Sequence, residues 1–189
     1  MRKKIKVLIV GLGKIGMFYD LDKKSNNFYL SHVRSFLKND DFQIVGSVEP
    51  DIKKRKIFNE LYKIKSYENL TKALSITKPE LVVIASPTRS HFQNLSEIVK
   101  FNSIKVVLCE KPLSYNIDEA KKMINLCKYK NIKLFINFVR RADPGVFEIK
   151  KMIKNKIIKT PIKGFCWYTK GMIHTASHFV DLCYFWLGE

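Results

Sequence analysis

The chain has 189 residues, of which 46% are hydrophobic, with thirteen Phe and eight Tyr. That is room for one full domain with a substantial core and a fragment of another. Its net charge of +18 comes from 35 Lys and Arg against 17 Asp and Glu, but these are mostly Lys scattered along the whole length, without a basic arm or zinc finger. A nucleic-acid binder is therefore disfavoured, and the excess reads as a solvated lysine surface whose field attracts anionic ligands. No stretch approaches a membrane span, and the apolar run after Lys6 is too short for a secretory signal. Cys109, Cys127, Cys166 and Cys183 show no CxxC or CxxH spacing, which points away from zinc or a disulfide framework and towards the cytoplasm.

Ile5-Lys6-Val7-Leu8-Ile9-Val10 is an apolar, β-branched run that reads as a strand buried on both faces. It breaks directly into Gly11-Leu12-Gly13-Lys14-Ile15-Gly16 and a helix-like Met17-Phe18-Tyr19. This strand, G-x-G-x-x-G and helix context is the dinucleotide fingerprint. Gly11 makes the tight turn, Gly13 lets the backbone approach a pyrophosphate, and Gly16 lets the helix sit close on the strand. The phosphates would lie at the positive end of the helix dipole. Residues 21–27 read as a loop and 31–37 as a helix. Residues 42–48 form a second strand ending at Glu49, whose carboxylate can accept both adenosine ribose hydroxyls and repel a 2′-phosphate. Lys53, Lys54 and Arg55 keep NADP open, so the cofactor is NAD or NADP, with NAD favoured.

Residues 57–67 give a helix and a short strand, and 68–76 another helix. Leu81-Val82-Val83-Ile84-Ala85 is a buried strand delivering Ser86, Pro87 and Thr88; His91 opens the next helix. The strand 104–109 delivers Glu110-Lys111-Pro112, 118–130 is an amphipathic helix, and 133–137 is a further strand. The alternation predicts an α/β fold: a Rossmann-type doubly wound parallel sheet over 1–138, followed by the beginning of a second α/β (α+β) domain over 139–189. In the second part, 144–155 and 175–187 read as helices and 162–170 as a strand. Ligands in such sheets lie outside the carboxyl ends of the strands, where Gly11 to Gly16, Glu49, Ser86 to Thr88 and Glu110 to Pro112 all fall.

With the fingerprint, Ser86-Pro87-Thr88 and His91, Glu110-Lys111-Pro112-Leu113, Arg141-Ala142-Asp143-Pro144 and His178-Phe179-Val180-Asp181, the chain resembles the glucose-fructose oxidoreductase/inositol dehydrogenase (Gfo/Idh/MocA) family over essentially its whole length. The resemblance implies hydride transfer between nicotinamide and a secondary alcohol or ketone of a sugar, cyclitol or nucleotide-sugar. Tyr19-Asp20 and Ser31-His32 look like the branch associated with surface polysaccharide and nucleotide-sugar metabolism. Lys111 matches the family's E-K-P lysine and would polarise the carbonyl or stabilise the alkoxide. His178 matches its active-site histidine and would relay the alcohol proton. His174 stands where the family often has an aspartate, which leaves the proton acceptor open among His174, His178 and Lys111.

The cofactor contacts implied are Gly11, Gly13, Lys14, Ile15, Gly16, Glu49, Ser86, Pro87, Thr88, His91, Glu110 and Lys111, with His91 equally readable as a helix-start residue that meets no ligand. The substrate contacts implied are Lys111, Arg141, His174 and His178, although Arg140 and Arg141 are slightly better read as salt-bridging between domains, and Asp181 as a helix anchor. No third ligand joins His174 and His178, so no metal is expected. Family members continue well past the equivalent of Gly188. The chain is therefore expected to be truncated, with the second segment open to homo-oligomerisation. The competing reading is a non-catalytic NAD(P)-binding module or an inactive remnant of such an enzyme.

Overall fold

In a computed structural model the structure describes residues 3–21, 28–159 and 161–188. The chain packs as two units, Met1–Ile136 and Asn137–Glu189.

The first unit is a single six-stranded sheet of β1 (Ile5–Val10), β2 (Phe42–Val48), β3 (Ser66–Tyr67), β4 (Leu81–Ile84), β5 (Val106–Cys109) and β6 (Lys133–Ile136). The strands run parallel in the order β3-β2-β1-β4-β5-β6. The order reverses between β1 and β4, and a crevice opens at such a point beyond the carboxyl ends of the strands. Alternation along β1 divides the core. Leu8 and Val10 pack with α3 (Leu70–Thr77), α4 (His91–Ile98) and α5 (Ile117–Tyr129) through Leu74, Leu95 and Met123. Val7 and Ile9 pack with α1 (His32–Leu37) and α2 (Ile52–Tyr62) through Val33 and Phe58. Polar side chains start the helices by accepting free N–H groups: Asp51 from Lys53 and Lys54, Asn69 from Lys72, and Asn116 from Asp118 and Glu119.

The fingerprint does not lead into the expected regular helix. Met17 N–H donates to Gly13 O at 2.9 Å and Tyr19 N–H to Lys14 O at 2.9 Å, and a 3₁₀ turn over Phe18–Asp20 closes the segment. The carbonyls that a continuing helix would use are taken elsewhere: Ile15 O accepts from His32 N–H and Gly16 O from Val33 N–H, both at 3.0 Å. The element expected to face the phosphates is a short irregular turn, without the dipole of a full helix. The predicted loop 21–27 lies largely outside the described residues.

In the second unit a 3₁₀ turn over Val139–Ala142 precedes α6 (Pro144–Lys154), and a π-type turn over Met172–Ala176 feeds α7 (Ser177–Leu187). Trp186 Nε1 donates to Val146 O at 2.9 Å, and Phe147 meets Phe185 edge-on, holding α6 to α7. The strand expected over 162–170 forms no ladder among the described residues, and Phe165 and Trp167 are exposed. An extended segment without a neighbour to take its backbone groups does not register as a strand.

Gly11 has φ +100°, and a Cβ there would stand 2.6 Å from Ser86 N and 2.8 Å from Ala85 O, whereas nothing lies within 4 Å of a Cβ at Gly13. Gly11→Ala is therefore expected to lower the free energy of unfolding by about 3 kcal/mol. Gly13→Ala should change it by less than about 1 kcal/mol. Urea denaturation of the two variants beside the wild type checks both.

Candidate functional site

A cavity of about 750 Å³ opens where β1, β2 and β4 end, within the usual size of small-molecule sites. Gly11, Gly13, Lys14 and Ile15 line it from the turn after β1, Glu49 and Pro50 from the end of β2, and Ser86 and Pro87 from the loop after β4. Seven of the sequence-derived positions thus meet in one space.

Glu49 is buried and its carboxylate organises the turn. Oε2 accepts from Leu12 N–H at 2.8 Å and Oε1 from Asp51 N–H at 3.1 Å. The glycine turn is thereby fastened to the end of β2, and the spare lone pairs remain acceptors only. Arg55, one of the cations that kept NADP open, donates from Nη1 to Glu49 O at 2.8 Å and Pro50 O at 2.6 Å, and from Nη2 to Glu68 Oε2 at 3.2 Å. Its guanidinium is committed to these groups. Lys54 does line the cavity.

Tyr19, Glu68, Leu70, Arg89, Ser90 and Asn94, none of them expected as a cofactor contact, also line it. Part of this was findable. Ser86, Ser90 and Asn94 recur at intervals of four, and Ser90 Oγ donates to Ser86 Oγ at 2.9 Å while Asn94 Nδ2 donates to it at 3.0 Å.

Gly16, Thr88, His91, Glu110 and Lys111 are not among the lining residues. Gly16 lies beneath the turn, where a Cβ would run into Gly11 O. Thr88 begins a 3₁₀ turn, Thr88–Ser90, ahead of α4. His91 is fully buried: its Nε2 donates to Ser86 O at 2.9 Å, and Nδ1 lies 3.2 Å from Leu113 O and 3.4 Å from Cys109 Sγ. The expected cofactor contact at His91 is replaced by a ring that spans the loops after β4 and β5. Burial, and then the neighbouring Glu110 charge, pushes the Cys109 thiol far up, so it stays protonated. In the loop after β5 the Glu110 side chain is mostly buried and Lys111 is half-buried, and the Lys111–Pro112 bond is cis. Glu110 Oε1 accepts from His32 Nε2 at 2.8 Å.

Within the second unit, Arg141 donates from Nε and Nη2 to both oxygens of Asp181, at 2.7 and 2.6 Å. The pairing expected between domains is a bidentate clamp inside this unit, and the guanidinium is occupied by it rather than held ready for a substrate anion. Asp181 is the helix anchor expected of it. Arg140 stacks over Phe179 at 4.9 Å. His178 is buried, with Phe138 edge-on to its ring at 5.9 Å, whereas His174 is exposed on the π-type turn. Although four residues apart, the two histidines differ in setting, His174 in solvent on the turn and His178 inside the unit.

The family model described as an oxidoreductase family with an NAD-binding Rossmann fold (GFO_IDH_MocA) matches residues 5–138. The chain belongs to this family. Myo-inositol 2-dehydrogenase of Thermotoga maritima is 25% identical over 157 residues, 83% of this chain and 43% of that protein. A crystal structure of a probable dehydrogenase from Thermotoga maritima superposes with a TM-score of 0.81 at 22% identity, over 98% of this chain and 56% of that one. The WlbA dehydrogenase from Bordetella pertussis, in complex with NADH and UDP-GlcNAcA, gives 0.79 at 18% identity, also over 98% and 56%. The chain spans about half the length of these relatives. Among the described residues no helix is long and apolar enough to cross a membrane.

Asp20 supports the fingerprint turn from outside: its carboxylate accepts from Leu30 N–H, Ser31 N–H and Ser31 Oγ–H, with Arg34 3.7 Å away. Burial acts to raise its pKa, but the Ser31 hydroxyl, the two N–H groups and Arg34 outweigh it and hold the carboxyl below its ordinary 3.8. A carboxyl held below its unfolded value adds stability above that value and loses it as pH falls through the folded one. Asp20→Asn should therefore lower Tm fully at pH 7, with the difference from wild type shrinking below about pH 4. Thermal melts across that range check it.

Proposed function

We propose that the cavity binds a nicotinamide dinucleotide, NAD in preference to NADP. We further propose that the chain serves hydride transfer to or from a secondary alcohol or ketone of a sugar, cyclitol or nucleotide-sugar. The observation that carries the reading is Gly13. It lines the cavity, and the place of its missing Cβ is open space. Nothing in the fold needs that space, while a close-lying pyrophosphate does. Glu49, buried at the same mouth, fits as acceptor for ribose hydroxyls, and the commitment of Arg55 to carbonyls and Glu68 removes one cation from a 2′-phosphate. The relatives named for inositol oxidation and crystallised with a nucleotide-sugar support the substrate class.

When bound, the nicotinamide supplies the carbon that takes or gives the hydride. The Lys111 ammonium then polarises the carbonyl or steadies the alkoxide as negative charge develops on oxygen. His178 and His174 are the second unit's candidates to carry the alcohol proton. His178, enclosed and oriented by Phe138, is the better held of the two. A cytoplasmic setting, and self-association through the exposed Phe165 and Trp167, belong to the same reading. A second reading, an NAD(P)-binding module without turnover, is favoured by a family match that spans the cofactor-binding part, residues 5–138.

Titration with NADH, followed by nicotinamide fluorescence, should show saturable micromolar binding to the wild-type chain. Gly13→Val should weaken it at least about 100-fold while leaving circular dichroism unchanged. Equal affinity in the variant, or no binding by a folded wild type, contradicts the assignment. In a screen of polyols and nucleotide-sugars with NAD⁺, Lys111→Met should bind NADH as well as wild type and lose at least about 100-fold in turnover. Binding by the wild type without turnover on any of these substrates gives the second reading.

A further inference from the structure

His32 holds two parts of the first unit at once. Its backbone N–H donates to Ile15 O of the fingerprint turn at 3.0 Å, and its ring Nε2 lies 2.8 Å from Glu110 Oε1 beside Lys111. Both side chains are almost withdrawn from water, 9% and 13% exposed. A carboxylate can only accept, so Nε2 carries the proton, which either the ε-tautomer or the imidazolium supplies. The resulting bond to an ionised oxygen in a buried setting is of the strong kind. His32 is itself fixed, because Asp20 takes the N–H groups of Leu30 and Ser31 just ahead of it. From the other side, His91 reaches from Ser86 O towards Leu113 O.

We propose that His32 is a positioning residue that couples the dinucleotide turn to the Glu110-Lys111-Pro112 segment, so that filling the cavity steadies the loop that carries Lys111. A ligand resting on the turn after β1 restrains Ile15, Ile15 O restrains the start of α1, and the imidazole passes that restraint to Glu110. This goes beyond the cofactor assignment, and its coupling arm rests on that reading.

Amide hydrogen exchange of the full chain, read by mass spectrometry on peptides spanning 108–116, separates the two. Without cofactor, His32→Ala should speed exchange of this segment about tenfold. His32→Gln, whose side-chain amide can still donate to Glu110, should restore the slow rate. Glu110→Gln, which keeps an acceptor but removes its charge, should fall between them. With saturating NADH, the segment should gain protection in the wild type and in His32→Gln and gain none in His32→Ala, although all three bind NADH. Wild-type exchange in cofactor-free His32→Ala, or no rescue by glutamine, overturns the clamp. Undiminished NADH protection in His32→Ala overturns the coupling. No NADH binding by the wild type overturns the coupling and the cofactor reading together, while the cofactor-free comparison still decides the clamp.

Discussion

The turn after β1 works only because two side chains are missing. Gly16 comes so close to Gly11 that any Cβ would overlap the Gly11 carbonyl, and Gly11 itself turns at a positive φ against Ala85 and Ser86. The approach at Gly11 brings the end of β1 against the loop after β4, at the point where the strand order reverses. A Cβ at Gly11 would push the turn away from the loop after β4, and one at Gly16 would force the turn itself open. The remaining glycine differs in kind. A Cβ at Gly13 would meet nothing within 4 Å, so the fold itself does not require its smallness.

Around this turn the polar groups fasten loops to one another. The buried Glu49 carboxylate joins Leu12 to Asp51, Arg55 closes over the same corner through backbone carbonyls, and Asp20 draws the chain back so that α1 starts on Ile15 O and Gly16 O. A helix that continued from the glycines would need those two carbonyls for itself. Their capture by His32 and Val33 is the physical reason the expected phosphate-facing helix is a short turn. It also leaves the cavity bordered by a short turn and the open space at Gly13, without the macrodipole of a full helix.

Much of this was legible in the sequence. Parallel strands alternating with helices follow from the apolar runs, and the meeting of Gly11, Gly13, Glu49 and Ser86 at one cavity follows from motifs tied to strand ends. The residues that were missed or misplaced share one feature, dependence on long-range partners. Whether Arg141 faces a substrate or Asp181, forty residues on, is decided by packing of α6 on α7. Whether His91 lines a groove or bridges two loops is decided by where Leu113 O comes to lie. Tyr19 and Arg89 reach the cavity through turn geometry that periodicity does not encode. The helix read over 175–187 begins only at Ser177, after a π-type turn over Met172–Ala176 that periodicity does not mark.

Whether the space above Gly13 takes a dinucleotide can be read from backbone amide chemical shifts. Adding NAD⁺ to the ¹⁵N-labelled chain should shift the resonances of Gly11, Gly13, Lys14, Ile15, Glu49 and Ser86 together, along one saturation curve. Shifts scattered over the lysine-rich surface without saturation, or none at those six amides, would contradict a dinucleotide site there.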